Sequence, residues 1–151
     1  MHSTGLAGDV FLVDDNPANV RLLAEVLKQA GHQVRASISA PRALETLRAH
    51  PPEVVLLDVT MPEMDGFELC AALKADAATR ELPVIFISAH DTPEERVRAF
   101  RAGGADYVVK PFEPVEIVAR VATQLRLSRL TKENRELRQK VRSPERAEPE
   151  E

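Results

Sequence analysis

The segment Val54-Val55-Leu56-Leu57-Asp58 constrains the fold more than any other stretch, because an unbroken apolar run, preceded by Pro51-Pro52, delivers one carboxylate at its end. A short apolar run with no Gly, Pro or polar alternation fits a strand buried on both faces of a parallel sheet. Thr60, Met61, Pro62 and Gly66 follow as loop residues, and Phe67 to Ala75 then has helical apolar spacing. Strand, carboxylate, loop and helix make one unit. Ligands of open parallel sheets bind beyond the carboxyl ends of the strands, so Asp58 stands where chemistry is expected. Taken alone, it reads equally well as a turn former.

The unit recurs on both sides. Residues 10–13 are apolar and end in Asp14-Asp15, after which Asn16-Pro17 opens a helix to about Ala30, stopped by Gly31. Pro17 suits a first helical turn, where its missing N–H is no loss. Residues 33–36 make a short second strand, and Ser39 with Pro41 opens a helix carrying Leu44 and Leu47. Past the central unit, residues 84–88 read VIFIS and end in Ser88. Thr92 with Glu95 three places on has the spacing of a capping box, in which the Glu95 side chain reaches back to the cap, and its helix runs to about Ala102 before Gly103-Gly104. Tyr107 to Val109 is the last strand, ending in Lys110-Pro111, and Pro114 starts the final helix. These five pairs predict an α/β fold: a flavodoxin-like doubly wound parallel sheet in the order 2-1-3-4-5, with helices on both faces and an extended last helix.

In that order Asp14, Asp15, Asp58, Ser88 and Lys110 all follow strand ends on one edge of the sheet. Three neighbouring carboxylates repel one another unless a cation is present. Few oxygen ligands, with room left for water and a phosphate, suit Mg2+. With charge neutralised, Asp58 can act as a nucleophile toward phosphorus, and Lys110 and backbone N–H groups can carry the charge on the equatorial oxygens. A single cysteine, Cys70, and four scattered histidines offer neither a disulfide nor a zinc site. No apolar run approaches the roughly 20 residues of a membrane span, and residues 1–9 do not resemble a signal peptide, so a cytoplasmic location is expected. The net charge of -4 argues against nucleic acid as the partner of the whole chain.

These residues resemble, over about residues 9–125, the receiver domain of the bacterial two-component response regulators. The resemblance is carried by Asp14-Asp15, by Asp58 in DVTMPEMDG, by Ser88-Ala89 and by Lys110-Pro111-Phe112. It implies that Asp58 accepts a phosphoryl group from the phosphohistidine of a histidine kinase or phosphotransfer protein. It further implies Mg2+ held by Asp14 or Asp15, by Asp58 and by the Thr60 backbone carbonyl, with Lys110 pairing to the phosphoryl group and a cis Lys110-Pro111 bond. Ser88 is then the hydroxyl that moves to a phosphoryl oxygen, Tyr107 the aromatic that turns inward behind it, and Thr60 and His90 the flanks of the path for hydrolytic water. Such a protein is a switch rather than an enzyme. A Mg2+-dependent phosphohydrolase with an Asp nucleophile is the rival, yet its usual general acid, an Asp two places on, is replaced by Thr60. A flavin or nucleotide module would need a Gly-rich first turn, where this chain has DDNPAN. A phosphorylation-independent adaptor is the third reading, and no site group is missing to suggest it.

Ile117, Val118, Val121 and Leu125 can close the last helix on the sheet, but helical patterning continues. Leu127, Leu130, Asn134, Leu137 and Val141 step by three and four as heptad a and d positions, with Asn134 at a and with Glu133 and Arg138 flanking. This predicts a parallel homodimer, with a solvated single helix as the alternative. The basic residues from Arg126 to Arg142 read as the flank of that coiled coil rather than as a nucleic-acid patch. The expected organisation is a tail at 1–8, a receiver at 9–125, a helical coiled-coil extension at 126–142 and a disordered acidic tail at 143–151.

Overall fold

The computed structural model describes residues 6–147, with side chains to Val141. Strands β1 (Asp9–Val13), β2 (Gln33–Ser37), β3 (Val54–Asp58), β4 (Val84–Ser88) and β5 (Asp106–Val109) alternate with helices α1 (Pro17–Gln29), α2 (Ala40–Ala49), α3 (Gly66–Lys74), α4 (Pro93–Arg101) and α5 (Pro114–Ala147). The strands form one parallel sheet in the order β2-β1-β3-β4-β5, as expected from the sequence.

Strand period sorts the core. In β1, Val10 and Leu12 face α1 and α5, meeting Leu23, Leu27, Ile117, Val121 and Leu125, while Phe11 and Val13 face α2 and α3, meeting Leu47, Leu69 and Leu73. β3 and β4 are buried at every position, which is why their sequences show no polar alternation. Full burial of each Leu, Ile, Val or Phe contributes about 1.5–3 kcal/mol.

Helix starts follow the local chemistry. Asn16 accepts from the N–H groups of Ala18 and Asn19, and Ser39 from that of Arg42, each supplying an acceptor to an otherwise unpaired donor. A full capping box opens α3, where Asp65 accepts from Glu68 N–H at 2.8 Å and the Glu68 carboxylate accepts from Asp65 N–H at 2.9 Å. The box expected at Thr92 forms only by half. Thr92 Oγ1 accepts from Glu95 N–H at 3.2 Å, but the Glu95 carboxylate does not return to the cap and instead takes the hydroxyls of Ser88 and Tyr107.

α5 is 34 residues long and passes well beyond the sheet. Arg129 ties the start of that overhang to the body: it donates to both Glu53 oxygens at 3.0 Å and to the Ala7 carbonyl at 2.7 Å. Arg135 pairs with Glu81 at 2.8 Å. Leu127, Leu130, Asn134, Leu137 and Val141 lie exposed along the overhang. The helix continues to Ala147, past residue 143, where the acidic tail is expected to begin. Once nucleated, a helix adds a hydrogen bond for each residue ordered, and so it can outrun its last apolar anchor. Residues 148–151 of the expected tail, and 1–5 at the other end, lie outside the described residues. Gly8, assigned to the N-terminal tail, is tied to the body, with its carbonyl accepting from Gln33 N–H at 2.9 Å. Among the described residues no helix is long and apolar enough to cross a membrane.

Candidate functional site

The carboxyl edge of the sheet gathers the acidic residues. Asp14 follows β1, and the first turn of α1 fixes it: Oδ1 accepts from Asn16 N–H at 2.9 Å and Oδ2 from Asn19 Nδ2 at 3.3 Å. Asp15 beside it is exposed, whereas Asp14 and Asp58 are buried. One carboxylate oxygen from each of Asp14, Asp15 and Asp58 lies within 4.8 Å of the others.

Asp58 is the last residue of β3, and Gly66 explains how the next helix can begin against it. A Cβ at Gly66 would come within 2.4 Å of the Asp58 carbonyl oxygen and 2.9 Å of Val59 Cα. Gly66 N–H also donates to the Val59 carbonyl at 2.8 Å, so the start of α3 clamps the backbone that carries Asp58. Within this loop Glu63 has a φ of 68°, a left-handed conformation uncommon for a residue with a Cβ.

The electrostatics follow from this crowding. Burial, then the charge of Asp14, pushes the Asp58 carboxyl up to about 6, against the pull of Lys110, with Asp15 adding to the rise. Lys110, delivered by the end of β5, places Nζ 3.2 Å from Asp58 Oδ1. The Lys110-Pro111 bond is cis, as the resemblance implied. Three oxygen-donor carboxylates against one ammonium leave the cluster negatively charged, and this donor set fits Mg2+, a hard cation that keeps several waters. Thr60, two residues beyond Asp58, lies exposed in the same loop.

Ser88 and Tyr107 form a second group beside the first. Ser88 ends β4 and is 1% exposed; Tyr107 lies in β5, turned inward, at 6%. His90 joins them through its backbone: its N–H donates to Ser88 Oγ at 3.0 Å, and its carbonyl accepts from the Tyr107 hydroxyl at 2.7 Å. The His90 residue is otherwise exposed. The Arg96 guanidinium lies 5.0 Å over the Tyr107 ring. Glu95, which sequence reasoning left as a cap, joins this group through Ser88 and Tyr107. The available signal was a carboxylate in the first turn of the helix that follows a strand-end hydroxyl.

The family model of the response regulator receiver domain matches residues 10–122. Response regulator PleD of Caulobacter vibrioides is 38% identical over 131 residues, which is 87% of this chain and 29% of PleD. The DNA-binding response regulator MtrA of Mycolicibacterium smegmatis is 35% identical over 117 residues, 78% of this chain and 50% of MtrA. Among solved structures, NtrX from Brucella abortus superposes with a TM-score of 0.80 at 33% identity, covering 87% of this chain and 30% of NtrX. The BeF3-activated DrrB receiver domain gives 0.72 at 31% identity, covering 80% and 98% of the two chains. The chain thus spans less than two thirds of PleD, of MtrA and of NtrX.

Proposed function

The chain belongs to the response regulator receiver domain family, a component of two-component signalling, and from that premise we propose that Asp58 is its phosphoacceptor. The observation that carries this reading is the Asp14, Asp15, Asp58 cluster with Lys110 3.2 Å from Asp58. A histidine kinase or phosphotransfer protein is the donor. The Asp58 carboxylate attacks phosphorus in line; the O–P bond forms as the N–P bond of the phosphohistidine breaks, and the imidazole leaves. A carboxyl pushed up to about 6 is still largely ionised at neutral pH, as a nucleophile must be. Lys110 then pairs with the transferred group.

Asp14 or Asp15, with Asp58 and the Thr60 carbonyl, would hold Mg2+, which when bound neutralises the carboxylates and the phosphoryl oxygens. The Ser88 hydroxyl moves to a phosphoryl oxygen and Tyr107 packs behind it. One hydrogen bond to a charged group, worth about 1.5–3 kcal/mol, shifts a two-state equilibrium about ten- to a hundredfold. Thr60 and His90 flank the approach of water and set how long the group lasts.

The protein acts on its own Asp58 and does not turn over a free substrate; Thr60 in place of a general acid disfavours the phosphohydrolase. The exposed seam of Leu127, Leu130, Asn134, Leu137 and Val141 pairs in parallel with a second copy, and phosphorylation changes that pairing or its angle. The basic residues beside this seam flank the coiled coil, so we assign it no nucleic-acid contact. As a receiver of two-component signalling, the chain is assigned to the cytoplasm.

Intact mass after treatment with acetyl phosphate and Mg2+ tests the phosphoacceptor. One phosphoryl group on the native protein and none on Asp58→Asn is the expected result. An unmodified native protein favours a phosphorylation-independent adaptor, and continuous release of phosphate from esters favours the hydrolase. Sedimentation with and without beryllofluoride tests the pairing; identical monomers in both states would sink it.

A further inference from the structure

The first turn of α4 brings Glu95 to the end of β4, where a single oxygen, Oε1, accepts from the Ser88 hydroxyl and shares the one Tyr107 hydroxyl proton with the His90 carbonyl. Ser88 Oγ also accepts from His90 N–H at 3.0 Å, and the Tyr107 hydroxyl reaches the His90 carbonyl at 2.7 Å. Both residues are buried.

A serine hydroxyl carries one proton. While that proton is donated to Glu95, Ser88 has none to give a phosphoryl oxygen on Asp58, at the end of the neighbouring strand. We propose that Glu95 is a positioning residue of the switch: its carboxylate holds Ser88 and Tyr107 together in the unphosphorylated protein and competes with the phosphoryl group for Ser88. This rests on reading Asp58 as the phosphoacceptor and Ser88 as its partner, and it adds a competing acceptor that sets the threshold.

Hydrogen bonds to a carboxylate are stronger than those between neutral groups, so this competitor is a substantial one. Burial, and next the Glu95 carboxylate, hold the Tyr107 hydroxyl above the ordinary tyrosine pKa, in keeping with a phenol that donates to an anion. When Ser88 leaves, Glu95 loses one of its two hydroxyl partners. The event at Asp58 thereby reaches the first turn of α4, where Arg96 covers the Tyr107 ring and pairs with Asp91 at 2.7 Å.

Tyr107 is the only tyrosine in a chain without tryptophan, so tyrosine fluorescence and ionisation report this group alone. Beryllofluoride with Mg2+ is titrated into the native protein, Glu95→Gln, Ser88→Ala and the double variant, with Glu95→Ala as a second form that does not depend on how glutamine packs. The expected result is binding about tenfold tighter for Glu95→Gln and Glu95→Ala than for the native protein. With Ser88→Ala already present, Glu95→Gln changes affinity by less than about twofold, because its effect runs through Ser88. Tyr107 ionises at lower pH in Glu95→Gln. Equal affinities for native protein and both Glu95 variants, or an undiminished gain in the Ser88→Ala background, would overturn the role of Glu95 alone. A native protein that takes up no beryllofluoride overturns the Asp58 reading, and this inference with it.

Discussion

At the carboxyl end of the sheet Asp58 has one lysine at 3.2 Å and two other carboxylates beside it, whereas at the amino end Glu53 has both oxygens held at 3.0 Å by Arg129. The same chemical group is shifted in opposite directions. Burial and Asp14 push Asp58 up to about 6, while the Arg129 hydrogen bonds hold Glu53 below the usual carboxylate range against the opposing effect of burial. The amino end ties α5 to the body with a satisfied ion pair. The carboxyl end leaves negative charge uncompensated, an imbalance that a bound cation would relieve. Function has been concentrated where the electrostatics of folding are least favourable.

The signs of the pH dependence differ accordingly. A carboxyl raised in the folded state disfavours folding once ionised, so the Asp58 penalty is fully present above pH about 6 and fades as pH falls toward its unfolded value near 4. A carboxyl lowered in the folded state does the reverse: the Glu53 contribution is present above its unfolded value and is lost as pH falls through the folded one.

The largest expected effect tests whether backbone packing, rather than charge, holds the carboxyl end in place. Gly66→Ala should cost about 3 kcal/mol in denaturant unfolding, since its Cβ meets backbone atoms that cannot swing aside. A cost near zero would show that the clamp on Asp58 is soft. Next, Asp58→Asn should stabilise the Mg2+-free protein by about 1–3 kcal/mol at pH 7, and this gain should vanish near pH 4. A destabilised Asp58→Asn would break the comparison, because the attraction of Lys110 would then outweigh burial and the repulsion of Asp14. A smaller effect follows from mass action: Mg2+ at ten times its dissociation constant should add about 1.4 kcal/mol to the native protein and clearly less to Asp58→Asn. Smallest is Glu53→Gln, at about 0.5–1 kcal/mol at neutral pH, because the ion pair is partly exposed, with the difference disappearing in acid.

Much of this arrangement was legible in the chain because apolar runs and strand-end polar residues are local patterns. Val54 to Asp58 and Val84 to Ser88 announced buried strands, and the adjacency of β1, β3 and β4 brought Asp14, Asp58 and Ser88 to one edge. The amino-end anchor was not legible, since Arg129 and Glu53 lie 76 residues apart and neither belongs to a motif. Glu95 was misdirected for the opposite reason. Thr92-Pro93-Glu94-Glu95 spells a capping box locally, but two buried hydroxyls, seven and twelve residues away, outcompete the cap for its carboxylate. Asp65 and Glu68 have the same spacing without such competitors, and there the full box forms.

The phosphoacceptor assignment is best tested by trapping the modified residue. An aspartyl phosphate is an acyl phosphate, which hydroxylamine converts to a hydroxamate with release of phosphate. Treating the phosphorylated protein in this way and sequencing its peptides by mass spectrometry should place one hydroxamate, on Asp58, with Asp14 and Asp15 unmodified. A hydroxamate on another carboxylate, or a phosphoryl group that resists hydroxylamine, would contradict the assignment.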